Sequence, residues 1–323
     1  MSIQFNHLKQ TLDQQHRQKI FGIPEIIRRT IYLLGLSAIF INPVAASEVQ
    51  FPKISLTTAE SYIAQTTAED FVQRGVEKLA TGDFRGAIDD FNQAIKIDHN
   101  SASAYSIRGH TYTLQGEFKK AITDLNRAIE IAPNFDPAYN NRGFARLQMG
   151  DLEGAISDFT KAIDINPNLA LAYNGRGFAH LQQENIQEAI TDFNQALEIN
   201  PNLVLAYNNR ANARLEQGKF KEAIADFNRA IAVNPNYAQG YSNRGFVHLQ
   251  QNDLQTALAD LNQALEINPN YAQAYYHRGL THVQLSNEEE AIADFQKAAD
   301  LSRQQGDMTI YQNALDQIQQ IQP

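Results

Sequence analysis

The sequence predicts an all-α solenoid, a stack of helix–turn–helix units without a separate catalytic domain. Three observations carry this. Prolines recur at one spacing, Pro133, Pro167, Pro201, Pro235 and Pro269, each 34 residues after the last and each closing an apolar run such as Ala162–Pro167. A fixed period of this size marks stacked supersecondary units. Small residues recur in step with the prolines: Ala87, Ala121, Ala155, Ala189, Ala223, Ala257 and Ala291, then Ala94, Ala128, Ala162, Ala196, Ala230, Ala264 and Ala298. Between them runs an apolar stripe at helical spacing, for example Phe118, Ile122, Leu125 and Ile129. Such a stack is an extended surface for holding other molecules and rarely carries its own chemistry.

The elements follow in chain order. Residues 1–46 read as a signal peptide: Arg28 and Arg29, an apolar run from Thr30 to Ile41, then Val44-Ala45-Ala46 before Ser47. The run is too short for a comfortable membrane span of roughly 20 apolar residues. The alternatives are a twin-arginine signal or an uncleaved anchor giving membrane association. Residues 47–67 are polar and rich in Thr, Ala and Ser, a linker. Seven repeats follow, over 68–101, 102–135, 136–169, 170–203, 204–237, 238–271 and 272–305. Each alone exposes an apolar face that only stacking buries. Proline ends the second helix by removing a donor and restricting the residue before it. Glycine marks the inner turn at Gly82, Gly116, Gly150 and Gly218, with Glu184, Asn252 and Ser286 in that place elsewhere. Residues 306–323 place Ile310, Ala314, Ile318 and Ile321 on one face, a final amphipathic helix that caps the open end, with Gly306 at the bend.

Numbered from Ala68, position 4 is aromatic (Phe71, Tyr105, Tyr139, Tyr173, Tyr207, Tyr241, Tyr275) and position 8 is Gly or Ala (Gly75, Gly109, Gly143, Gly177, Ala211, Gly245, Gly279). Position 24 is Phe or Leu: Phe91, Leu125, Phe159, Phe193, Phe227, Leu261 and Phe295. With alanine at 20 and 27 and proline at 32, the chain closely resembles the tetratricopeptide repeat (TPR) family. His99 and Arg303 depart from the proline, Ala211 from the glycine, and arginine stands at position 7 where leucine is usual. The resemblance implies a right-handed superhelix whose first helices line a concave groove.

Composition excludes several functions. There is no cysteine, hence no disulfide and no cysteine-based metal site or nucleophile. Net charge is −9, and residues 1–46 hold five Lys or Arg against two Asp or Glu, so the remainder carries −12. An acidic body argues against nucleic acid as a partner. No phosphate loop, G-x-S-x-G, H-E-x-x-H or dinucleotide fingerprint occurs, so no enzyme activity, small-molecule substrate or cofactor is expected. His180, His248 and His282 share position 11 and read as packing spacers, and the acids Asp83, Asp151 and Glu153 as a solvated face.

By the resemblance, positions 2, 5, 6, 9, 12 and 13 point into the groove. Of these, 5, 6, 9 and 13 carry amides and aromatics: Asn140, Asn141, Phe144, Gln148, Asn174, Phe178, Gln182, Asn208, Asn209, Asn212, Asn243, Phe246, Gln250 and His277. An amide both donates and accepts, so an asparagine ladder can pair with the backbone of an extended peptide whatever its sequence. Asparagine is also a poor helix former, so its recurrence mid-helix calls for a reason. Arginine fills position 7 and aspartate position 23 in every repeat, including Arg142 and Asp158, Arg176 and Asp192, Arg210 and Asp226, Arg244 and Asp260. Repeated in step, they predict structural ion pairs between helices.

The expected function is a non-enzymatic scaffold or assembly factor that binds protein or extended peptide in a periplasmic or other extracytoplasmic envelope compartment. The alternative is a self-associating scaffold that organises a larger complex with its groove empty.

Overall fold

The computed structural model describes residues 67–322. The signal peptide and the linker up to residue 66 lie outside the described residues. Every element described is a helix: α1 (Ala68–Ala80), α2 (Phe84–Ile97), α3 (Ala102–Leu114), α4 (Phe118–Ile131), α5 (Asp136–Gln148), α6 (Leu152–Ile165), α7 (Ala170–Gln182), α8 (Ile186–Ile199), α9 (Val204–Glu216), α10 (Phe220–Val233), α11 (Ala238–Gln250), α12 (Leu254–Ile267), α13 (Ala272–Gln284), α14 (Glu288–Gln305) and α15 (Met308–Ile321). None of these is long and apolar enough to cross a membrane. The chain forms two compact units, which among described residues are 67–179 and 180–322.

Within each unit the repeat core is the position-24 ring or leucine pressed into small residues. Phe91, Leu125 and Phe159 in the first unit and Phe193, Phe227, Leu261 and Phe295 in the second are fully buried, as are the alanines of positions 20 and 27. Burying one such side chain contributes about 2–3 kcal/mol. The glycine of position 8 is a packing requirement: a Cβ on Gly143 would stand 2.8 Å from the Phe159 ring.

The second helices stop for a reason only half visible as proline. Position 31 is extended, as at Asn166 (φ −132°, ψ 90°), and its side chain accepts from the backbone N–H two residues on, Asn168, at 3.2 Å. Asn200, Asn234 and Asn268 form the same turn. Asp98 does so too, ending α2 at Ile97 although His99 replaces proline. The last repeat has Ser302 and Arg303 at these two places, and α14 runs on to Gln305 before Gly306 (φ 77°) turns the chain.

The second unit is closed at its C-terminal end. Helix α15 packs Ala314, Ile310, Tyr311, Ile318 and Ile321 against Phe295, Ala298 and Ala299. In the first unit α1 carries a polar outer face. Positions 3 and 10, buried as Ala104, Thr111, Ala138 and Ala145 in the next repeats, are Asp70 and Glu77 in the first and are exposed.

Gly82, Gly116, Gly150 and Gly218 all have positive φ, and Glu184 (64°), Asn252 (61°) and Ser286 (60°) adopt the same conformation. A left-handed non-glycine costs roughly 1–2 kcal/mol, against which glycine loses about 0.4–1 kcal/mol through unfolded-chain entropy. Glu184→Gly and Ser286→Gly are therefore expected to stabilise the chain by about 0.5–1 kcal/mol each, read from urea unfolding midpoints.

Candidate functional site: the face of the first helices

The arginine of position 7 organises each repeat. Arg142 donates from Nε and Nη2 to both oxygens of Asp158, at 2.9 and 2.6 Å, joining α5 to α6. Its Nη1 donates to Asn126 Oδ1 in the preceding repeat at 2.6 Å. Its guanidinium lies 5.6 Å from the Tyr139 ring centroid. The same set recurs as Arg108 with Asp124 and Asn92, Arg210 with Asp226 and Asn194, Arg244 with Asp260 and Asn228, and Arg278 with Asp294 and Asn262. Arg176 donates to Thr160, which takes the asparagine's place. The expected ion pair is thus found inside the repeat, and its third arm ties neighbouring repeats together. The tie shows in exposure: Arg74, with no preceding repeat, is 49% exposed, Arg142 only 16%.

Position 11 supplies a second cation to the same aspartate. Lys78 reaches Asp90 at 2.7 Å, Arg146 reaches Asp158 at 2.8 Å and Arg214 reaches Asp226 at 2.7 Å. The Arg74 guanidinium, backed by Lys78, holds the Asp90 carboxyl below the usual carboxylate range. Two of the position-11 histidines, packed as expected, also approach polar groups. His282 Nε2 stands 3.9 Å from Asp294 and its Nδ1 is 3.3 Å from Asn287, while His248 Nδ1 is 3.5 Å from Asp253. Asp83 and Asp151 also differ from expectation: they cap α2 and α6, accepting from Gly86 and Gly154 backbone N–H groups at 2.9 and 3.0 Å.

The asparagine ladder is built differently from a solvated row of amides. Asn140, Asn174, Asn208 and Asn209 are buried, at 8%, 1%, 3% and 5% exposure, and so are Phe144 and His277. The reason is stacking of first helices: position 6 of one repeat closes onto position 5 of the repeat before. Asn141 Nδ2 donates to Ser106 Oγ at 3.2 Å, Asn243 Nδ2 to Asn208 Oδ1 at 2.9 Å, and His277 Nδ1 lies 3.4 Å from Ser242 Oγ. The predicted groove residues thus divide. Asn208 and His277 among the buried ones, with Asn141 and Asn243, form internal rungs. Asn141, Gln148, Phe178, Asn212, Asn243 and Phe246 are half-buried, and Gln182 and Gln250 are exposed. Phe246 keeps one face against the His277 ring, with centroids 4.4 Å apart.

A family model described as a TPR repeat matches residues 75–116, 109–150, 145–184, 211–252 and 247–286. Tetratricopeptide repeat models match 170–203, 193–225 and 272–305. The chain belongs to the tetratricopeptide repeat family, a scaffold suited to protein–protein interaction. No curated protein matches it. Among solved structures it is similar to a tetratricopeptide repeat protein from Parabacteroides merdae, with 21% identity and TM-score 0.61 over 77% of this chain and 98% of that one. It is similar to a chain of the APC/C hetero-tetramer Cut9–Hcn1, with 17% identity and TM-score 0.63 over 78% of this chain and 53% of that one, about half its length. A Pseudomonas aeruginosa pilF structure matches with 17% identity and TM-score 0.57 over 67% of this chain and 97% of that one. At these identities the likeness shows the fold alone.

Burial pushes His277 down to about 4, opposed in part by its contact with Ser242, and pushes His110 down to about 4 as well. Both are neutral in the folded chain at neutral pH, whereas the unfolded chain takes up protons near 6.5. Above pH 7 neither affects stability. As pH falls from 6.5 towards 4 the unfolded state binds more protons and stability drops, by roughly 1.4 kcal/mol per pH unit for each histidine. His277→Gln is expected to flatten part of that slope in unfolding free energies measured from pH 7 to pH 4.5.

Proposed function

We propose that the chain is a non-enzymatic scaffold that binds an extended, uncharged stretch of polypeptide along its first-helix face, in an extracytoplasmic envelope compartment. One observation carries the binding mode. Among the described residues, the position-7 arginines are engaged by their aspartates or, for Arg176, by Thr160, and the position-11 Lys and Arg end on aspartates, so this face offers amides and aromatic rings but no free cation. A site that grips a terminal carboxylate or a phosphate needs such a cation. Amides that donate and accept, beside half-buried rings, suit a neutral main chain with apolar side chains. The envelope location rests on the basic, apolar and small-residue order of residues 28–46.

In the second unit the accessible polar members are Asn212 and Gln250, which make no side-chain hydrogen bond among the described residues. With the tightest 12-residue peptide selected from a random display library, the double variant Asn212→Ala/Gln250→Ala is expected to bind about tenfold more weakly by calorimetry, at unchanged Tm. Unchanged affinity would move the contact to another face.

A further inference from the structure

The ladder of first-helix side chains is closed at Ser106–Asn141, Asn208–Asn243 and Ser242–His277. Between the third and fourth repeats it is open. Position 5 is Asn140 and position 6 of the next repeat is Gly175, which has no side chain to complete the rung. Asn140 is 8% exposed, and its Oδ1 is buried without a hydrogen-bond partner. The gap coincides with the placing of the Phe159 ring, whereas the equally buried Phe91, Phe193 and Phe227 are followed at that position by Ile107, Asn209 and Asn243. A Cβ on Gly175 would stand 2.5 Å from Cζ of Phe159, a fully buried ring already wedged edge-on against Phe144 at 4.9 Å between centroids. No residue with a side chain can restore the rung unless that ring moves.

We infer that Asn140 is the receiving rung of the ladder, the amide whose carbonyl oxygen accepts a main-chain N–H from a bound extended peptide. This rests on the peptide-binding reading above and assigns its anchor point. The comparison with other rungs is what selects it. To engage a ligand, Asn208 must give up the 2.9 Å bond from Asn243, and Asn141 its bond to Ser106. Asn140 turns outward with no internal bond of its oxygen to lose, and gains the partner it lacks. The surroundings fit a neutral donor: the groove-facing positions of these two repeats are Pro137, Asn140, Asn141, Phe144 and Gln148, then Leu171, Asn174, Gly175, Phe178 and Gln182, without a charge among them.

The test compares Asn140→Leu with Asn208→Leu, first by thermal unfolding and then by affinity for the 12-residue peptide selected on the wild-type chain. Deleting the orphan oxygen is expected to raise Tm by about 2–4 °C, whereas Asn208→Leu strands Asn243 and lowers it. The same Asn140→Leu variant is expected to bind the peptide about tenfold more weakly despite its higher Tm. A Tm loss in Asn140→Leu matching that of Asn208→Leu would mean that an ordered water already satisfies the oxygen, and would overturn the assignment. Wild-type affinity in Asn140→Leu would overturn it while leaving peptide binding intact. Failure to select any peptide would defeat the peptide-binding reading itself, and this assignment with it.

Discussion

Five of the seven repeats hang on a guanidinium that faces three ways. The position-7 arginine grips the aspartate of its own second helix through two parallel hydrogen bonds, reaches the asparagine of the previous second helix with its remaining nitrogen, and lies beside the aromatic ring one turn back in its own helix. Apolar packing of alanine against phenylalanine would tolerate small slips of one helix along another. A planar fork of donors does not, because a displaced guanidinium leaves a nearly buried carboxylate unpaired. Register inside a repeat and register between repeats are thereby fixed by the same group. The small residues at positions 8, 20 and 27 let the helices come close enough for it to reach.

That constraint also shapes what the surface can do. The cations of the first helices are spent on structure, so the face they share is left to amides, hydroxyls and rings. Part of that remainder is spent again, on rungs between neighbouring first helices. What is left for a partner is a narrower set than the repeat pattern suggests: half-buried Phe178, Phe246 and Asn212, exposed glutamines, and one amide that faces a glycine in the next repeat.

The period, the paired helices, the small-residue offsets, the cap at α15 and the Arg–Asp register could all be read from the sequence, because each depends on residue size or charge recurring at one offset. The asparagine of position 25 recurs as regularly, at Asn92, Asn126, Asn194, Asn228 and Asn262, yet nothing in its chemistry distinguishes an acceptor for a neighbour's arginine from an ordinary surface amide. Asn140 and Asn208 are placed in the groove by the resemblance, which gives the face of the helix but not how closely the next helix covers it. Close approach of first helices buries them, and that distance is a property of stacking, not of either helix alone. The role of position 11 was hidden by its variety, since Lys, Arg, His and Tyr share it, and only the aspartate opposite makes sense of the basic ones. The polar outer face of α1 was in plain view at Asp70 and Glu77, but its meaning needed the buried alanines of the next repeats beside it.

The most direct test of the central claim is a pair of double-mutant cycles on Arg278, one with Asp294 inside the repeat and one with Asn262 across the junction, measured as unfolding free energies in urea. Arg278→Leu alone should cost roughly 2–4 kcal/mol, and coupling should appear in both cycles, about 2 kcal/mol or more with Asp294 and about 0.5–1 kcal/mol with Asn262. Coupling to Asp294 without coupling to Asn262 would confine the arginine to its own repeat. Unaltered stability in Arg278→Leu would contradict the account outright and leave register to apolar packing.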